Sequence, residues 1–197
     1  MADVGALIVA SAAGYGFGGA LALGPWHGGS VLDHVVAVVR AGGIDDITVV
    51  LGPRADDIVD TADLGNATII IDPDWAEGRA AGLRAGLDTM WRSNDLAVAM
   101  IVELDRPDID GGSVASILSA HRGGTTPVTV PKYRYARGGP VAVARTLWPR
   151  LMGLEGDVDL GGLIEAHRDW ATEVWIDRVP PVRVETLTDL EAVTQPG

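Results

Sequence analysis

ALIVASAAGYGFGGALALGP, residues Ala6 to Pro25, sets a branched apolar run against a loop of glycine and alanine and then returns to apolar residues. Val4 to Ala10 has the pattern of a strand buried on both faces of a parallel sheet. A glycine-rich loop directly after such a strand is a place to hold phosphates, because bare backbone N–H groups can approach an anion closely. Ala12, Ala13, Gly14, Gly16, Gly18 and Gly19 are therefore candidate cofactor-binding positions. No Asp, Glu, Lys or Arg occurs between Asp3 and Asp33, so the loop carries no cation of its own.

Two other readings of this stretch are weaker. Gly14, Gly16 and Gly19 spell G-x-G-x-x-G, but a dinucleotide fold opens its helix inside the glycine run and ends its second strand on an acidic residue. Here Gly24-Pro25 and Gly28-Gly29 interrupt any helix before Val31, and the second strand ends in Leu51-Gly52. A signal peptide or membrane span would want a basic start and few helix breakers, whereas Asp3 is acidic and six Gly and Pro residues interrupt the run.

Outward from the loop, strand and helix patterns alternate. Ser30 and Asp33 form a capping-box start to a helix with Val31, Val35, Val38 and Val39 on one face and Gly42-Gly43 at its end. Ile47 to Leu51 and Ala67 to Ile71 read as strands, with a short helix over Ala55 to Asp60 between them. Asp74 and Glu77 predict the start of a long helix whose apolar face is Leu83, Leu87, Met90 and Trp91. Its other face is small (Gly78, Ala81, Gly82, Ala85, Gly86) and suits close approach of a backbone or a ligand. Leu96 to Leu104 is apolar almost throughout and belongs at the sheet centre.

Helices are further expected over Ser113 to His121, Leu147 to Leu154 with Pro149 in the first turn, Asp159 to His167 and Thr188 to Val193. Strands are expected over Thr126 to Val130, Pro140 to Ala144, Glu173 to Asp177 and Arg183 to Glu185. Connections this long permit parallel crossovers, so the fold class is α/β, a three-layer α/β/α sandwich on a mostly parallel Rossmann-like sheet. No repeat or boundary divides residues 1–197, which read as one domain.

Composition narrows the function. The formal charge of −12, with a single lysine at Lys132, argues against nucleic-acid binding, since phosphate backbones need clustered cations. With no cysteine there is no disulfide, thiolate metal site or cysteine nucleophile, which fits a reducing cytoplasm. His27, His34, His121 and His167 are scattered and share no ligand spacing, and no G-x-S-x-G supports a serine hydrolase. The six tryptophans read mostly as core or surface anchors, with Trp75 beside Asp74 a candidate ligand neighbour.

Glu103-Leu104-Asp105-Arg106-Pro107 closes the central strand. Carboxylates at the carboxyl ends of parallel strands face the crevice where ligands sit, and an aspartate there suits Mg2+ bridging phosphates. Period-two geometry puts Glu103 and Asp105 on one face. A strand-end aspartate capping the turn before Pro107 is an equal reading of the same residues. The segment Lys132 to Arg137 is the most basic of the chain and reads either as a solvated loop or as a source of cations for the site.

These residues resemble the MobA-like NTP transferases, especially the branch of molybdenum cofactor cytidylyltransferases, over nearly the whole chain. DPDWAEGRAAGLRAGL (Asp72 to Leu87) is similar to the family's N-P-D-W-A-E-G helix start, and Asp105-Arg106-Pro107 stands at its G-D-Q-P turn. AAG at Ala12 to Gly14, LDHVV at Leu32 to Val36, VVLGP at Val49 to Pro53, GGPVAV at Gly138 to Val143 and Gly156-Asp157 also match. The resemblance implies the fold of nucleotide-diphospho-sugar transferases and transfer of a nucleoside monophosphate from an NTP to a phosphorylated, molybdopterin-type acceptor. It implies Asp105 and Arg106 as catalytic residues, the glycine loop with Asp74, Trp75, Gly78 and Arg79 on the nucleotide, and Mg2+ on Asp105 with Glu103 or Glu185. A molybdenum enzyme is the implied protein partner, and neither nucleic acid nor membrane is expected.

The departures are concentrated where chemistry is expected. Gly16 and Gly18 stand at or near the serine and arginine of the family loop, whose lysine has no counterpart; Leu104 and Arg106 replace glycine and glutamine, and Glu185 is the nearest acid to a second metal-binding aspartate. The residues leave two activities open: nucleotidyl transfer, or cofactor binding without transfer as a maturation partner.

Overall fold

A computed structural model describes residues 3–11, 21–92, 96–158 and 160–194. The glycine-loop candidates Ala12, Ala13, Gly14, Gly16, Gly18 and Gly19 lie outside the described residues.

Nine strands and seven helices are described: β1 (Asp3–Val9), β2 (Pro25–Trp26), β3 (Gly29–Ser30), α1 (Val31–Ala41), β4 (Asp46–Leu51), α2 (Ala55–Thr61), β5 (Thr68–Ile71), α3 (Arg79–Arg92), β6 (Leu96–Glu103), α4 (Gly111–Gly123), β7 (Val128–Lys132), β8 (Val141–Ala144), α5 (Trp148–Met152), α6 (Leu160–Ala166), β9 (Ala171–Trp175) and α7 (Leu187–Thr194). Seven strands form one sheet in the order β5-β4-β1-β6-β8-β7-β9, with β6 at its centre as the apolar run predicts. β1 pairs in parallel with β4 and β6, whereas β8 runs antiparallel to β6 and β7, so the sheet is mostly parallel.

Alternation along the central strands builds two cores. Ala6 and Ile8 of β1, Val49 and Leu51 of β4, and Met100 and Val102 of β6 pack on one face with α1, α2 and α4; Leu7, Val50 and Ile101 pack on the other with α3, α5 and α6. Helices therefore cover both faces, and the architecture is the expected three-layer α/β/α sandwich. α1 carries the predicted box: Ser30 Oγ accepts from the Asp33 N–H at 3.1 Å, and Asp33 Oδ2 from the Ser30 N–H at 2.9 Å. The small face of α3 sits tight on β1, where a Cβ at Gly86 would stand 2.2 Å from Leu7 Cδ1 and one at Gly82 2.0 Å from Ser11 Oγ.

Three expectations are corrected. Asp74 and Glu77 do not open α3: Trp75–Glu77 is a separate 3-10 turn, Asp74 makes no side-chain cap, and Gly78 at φ 114° breaks the path before Arg79. α4 opens at Gly111, two residues before Ser113, and Asp110 caps it; its carboxylate accepts both the Ser113 N–H and hydroxyl at 2.9 and 2.8 Å. Arg183 to Glu185 is not a strand; Val184 makes one backbone bond, to Asp105 O at 2.8 Å, which ties the segment to the sheet tip rather than to its edge.

Candidate active site

The site gathers beyond the carboxyl end of β6. Asp105 is only 6% exposed, and its Oδ2 accepts from Arg183 Nε at 2.7 Å and Arg79 Nη1 at 3.2 Å. Its other oxygen, Oδ1, is buried with no hydrogen-bond partner. Glu103, the last residue of β6, stands 4.0 Å from Arg79 Nη1, the same nitrogen that donates to Asp105. The two carboxylates therefore converge, with a guanidinium beside both. Glu185 is turned to solvent, 3.7 Å from Arg183 Nε, and among the described residues no three His, Asp or Glu side chains gather closely enough to hold a metal.

Arg79 is aimed by the start of α3. The Ala80 N–H donates to Gly156 O at 3.0 Å, and the Arg79 N–H to Asp157 Oδ1 at 3.3 Å, so the loop carrying Gly156-Asp157 supplies acceptors for the helix's free first-turn donors. Arg183 is aimed by the Val184–Asp105 backbone bond. Sequence reasoning found Arg79 through its motif but missed Arg183; the available signal was its period-two relation to Glu185 in an extended segment. Arg183 is held strongly protonated: burial opposes this, but the Asp105 hydrogen bond and the charges of Asp105, Glu103 and Glu185 raise its pKa.

Two adjoining cavities open here and share Ile101, Glu103 and Leu160. The smaller, about 30 Å3, is bordered by Val9, Arg79 and Asp105. The larger, about 250 Å3, is bordered by Arg106, Arg137, Arg183 and Glu165 with Gly138-Gly139. Arg106 lies on the larger cavity's wall, not on Asp105. The basic segment divides between the two readings of it: Arg134 pairs with exposed Asp177, while Arg137 reaches the cavity and pairs with Glu165 and Glu173. Buried Tyr133 donates to Gly139 O at 2.8 Å and fixes the glycine pair; burial pushes its hydroxyl up to about 12.

Trp75 is half-buried against Gly52, which in turn abuts the backbone of Ser11 just beyond β1; Asp74 is exposed. Asp72, only 2% exposed, orients this segment by accepting the Asp74 N–H at 3.0 Å, while its Oδ2 is buried without a partner. Burial pushes the Asp72 carboxyl above its ordinary value. Because the folded pKa lies above the unfolded one, ionised Asp72 weakens the fold at neutral pH, and the penalty disappears as pH falls through that window. Asp72→Asn is expected to raise Tm at pH 7 and to leave it unchanged once the carboxyl is protonated in acid; a Tm gain that persists undiminished at low pH would refute the assignment.

Residues 6–170 match the family described as MobA-like NTP transferase domain. The chain belongs to this family. A nicotine blue oxidoreductase of Paenarthrobacter nicotinovorans is 28% identical over 119 residues, which are 60% of this chain and 57% of that protein, so the match spans little more than half of the relative's length. Rv0371c from Mycobacterium tuberculosis H37Rv superposes with a TM-score of 0.84 at 23% identity, covering 98% of this chain and 99% of that one. The manganese complex of Rv0371C superposes with a TM-score of 0.82 at 21% identity, covering 98% and 97%. In this MobA-like chain, the two segments that carry the resemblance, Asp72 to Leu87 and Asp105 to Pro107, meet where Arg79 at the start of α3 donates to Asp105 beyond the tip of β6.

Proposed function

We propose that this chain is a nucleotidyltransferase, moving a nucleoside monophosphate from an NTP to a phosphorylated acceptor of molybdopterin type, with residues 1–197 acting as one unit. The observation that carries the reading is Asp105: a carboxylate at the tip of the central strand with one oxygen anchored by two arginines and the other buried and unpartnered. Such an oxygen demands a cation or a donor. It fits Mg2+, which binds through one or two carboxylates and completes its shell with substrate phosphates and water. Asp105 would hold the ion with Glu103 beside it, and Glu185 would have to turn inward to join them. When bound, the ion supplies neutralisation of phosphate charge.

The chain's own groups supply the rest. Ala12 to Gly19 offers backbone N–H groups to the triphosphate, Trp75 flanks the base, and Gly78 lets the start of α3 approach. Arg79 and Arg183 hold Asp105 in place and offer guanidinium N–H groups to phosphate oxygens. Arg106 stands towards the acceptor. An acceptor phosphate oxygen attacks the α-phosphorus, the new P–O bond replaces the α–β bridge bond, and pyrophosphate leaves with its electron pair. A cysteine-free chain in which no described helix is long and apolar enough to cross a membrane fits work in the cytoplasm.

A second reading is favoured by the absence of Lys and Arg from the glycine loop and by the two guanidinium groups already on Asp105: a family member that binds its ligand without transfer and serves as a maturation partner of a molybdenum enzyme. Exchange of labelled pyrophosphate into each NTP in the presence of a pterin phosphate acceptor, with Mg2+ and with chelator, separates the two. Metal-dependent exchange with at least one NTP supports the transferase; no exchange with any NTP, alongside calorimetric binding of a pterin phosphate, sinks it. Because the P. nicotinovorans relative is named an oxidoreductase, NADH and NADPH oxidation belongs in the same series.

A further inference from the structure

The larger cavity has a charge arrangement for which the transferase reading names no ligand group beyond turning Arg106 towards the acceptor. Arg137 is answered by Glu165 at 2.7 Å and by Glu173, and Arg183 is answered by Asp105 at 2.7 Å. Arg106 has no carboxylate partner among the described residues, and its Nε is buried without a hydrogen bond. Its guanidinium lies along Gly138, with Nη1 3.9 Å from where a Gly138 Cβ would stand. The cavity is otherwise walled by Ile101, Val130, Val141, Leu160 and Ile164. In a chain with a formal charge of −12, its wall carries three arginines against two glutamates.

We propose that Arg106 is the specificity-determining residue of an acceptor subsite, and that the cavity takes a compact ring-bearing molecule with one oxyanion group, a phosphate monoester or a carboxylate, seated on Arg106. A guanidinium is a rigid planar fork that matches both groups, and a buried donor without a partner recovers its lost solvation only from such an acceptor. Size agrees: an apolar cavity of about 150 Å3 admits benzene, so about 250 Å3 leaves room for a ring and a small charged substituent. The five aliphatic walls suit the ring, and the bare Gly138-Gly139 backbone, pinned by Tyr133, lets it lie close. Only the word acceptor rests on the transferase reading.

The test uses the whole chain without NTP, reading the backbone amide shifts of Gly138 and Gly139 by NMR during titration. The probes are phenyl phosphate, benzoate, inorganic phosphate and benzyl alcohol. Saturable shifts with phenyl phosphate or benzoate, and none with benzyl alcohol, are expected; the tighter of the two anions identifies the group read. Arg106→Gln should weaken that probe roughly ten- to hundredfold, while Arg122→Gln on the exposed end of α4 leaves it unchanged. Arg106→Lys, which keeps the charge but loses the fork, should fall between, and serves if the glutamine variant does not fold. Equal binding of benzyl alcohol, equal affinity for inorganic and phenyl phosphate, or full affinity in Arg106→Gln overturns the proposal. The titration contains no NTP, and pyrophosphate exchange is run on the unsubstituted chain with a pterin phosphate acceptor, so a failed titration with retained exchange sinks only the subsite, and lost exchange with a successful titration sinks only the transferase reading.

Discussion

Pyrophosphate exchange by the Asp105→Asn protein is expected to fall roughly 10^2- to 10^3-fold, the loss seen when one well-placed electrostatic group is removed from a transition-state site. The substitution keeps the shape of the side chain and removes its charge. Oδ2 now accepts from Arg183 at 2.7 Å and Arg79 at 3.2 Å; a neutral amide oxygen holds two guanidinium groups less well. Breaking a fully buried pair costs about 3–5 kcal/mol. Here the arginines keep 28% and 32% side-chain exposure, and Glu103 and Glu185 lie within 4.0 Å of them, so a smaller cost is expected, about 1–2 kcal/mol. The discriminating result is the pair of measurements. A large rate loss with a small Tm loss places Asp105 in the chemistry; an unchanged exchange rate removes it.

The same cluster bears on how so acidic a chain can hold a triphosphate. A loop arginine and lysine of the family type would each contribute a charge-assisted bond of about 1.5–3 kcal/mol, and residues 12–20 contain neither. Arg79, Arg106 and Arg183 stand around the tip of β6 instead, supplied by α3, by the strand end itself and by the segment before α7. Their fields are local. At physiological ionic strength the Debye length is about 8 Å, so the distant surface acids are screened while a ligand in the crevice meets the guanidinium groups directly. The −12 charge then acts on encounter rate more than on bound-state affinity.

Local chemistry made much of this architecture legible in the sequence. The Ser30–Asp33 box, the apolar β6 and the small face of α3 each express one interaction within a few residues or one periodicity, and the structure shows all three. Asp74 and Glu77 misled for a physical reason: the pattern of a capping box also suits a 3-10 turn, and the backbone of Gly78, held against Gly156, decides between them. Arg183 reaches Asp105 only because the chain returns across the sheet tip after β9, and no local pattern records that return. Glu185, the acid that motif comparison singled out, is exposed; Arg183, two residues earlier, is the side chain that turns in.

Gly78→Ala is expected to damage both the fold and the site. Gly78 sits at φ 114° and ψ −177°, a region essentially restricted to glycine, where a residue with a Cβ carries about 1–3 kcal/mol of strain. Space is also lacking: the added Cβ would stand 2.6 Å from the carbonyl carbon of Gly156, 2.7 Å from its oxygen and 2.9 Å from Asp157 Oδ1. Two of those neighbours are backbone and cannot swing aside. Relief requires the Gly156-Asp157 loop to move off α3, which breaks the bonds to the Ala80 and Arg79 N–H groups at 3.0 and 3.3 Å. A total cost of about 3 kcal/mol follows, or a Tm lower by roughly 6–12 °C for a chain of this size. Arg79 is the next residue, so its guanidinium shifts with the helix start, and the Asp105 pair loosens from the Arg79 side while Arg183 stays. Exchange should therefore fall in Gly78→Ala even at temperatures where the protein is fully folded, and Arg79→Gln, which leaves the backbone alone, should reproduce the rate loss with little of the Tm loss. A Gly78→Ala protein with native Tm would show that the Gly156 loop yields freely, and the account of how α3 is aimed would then be wrong.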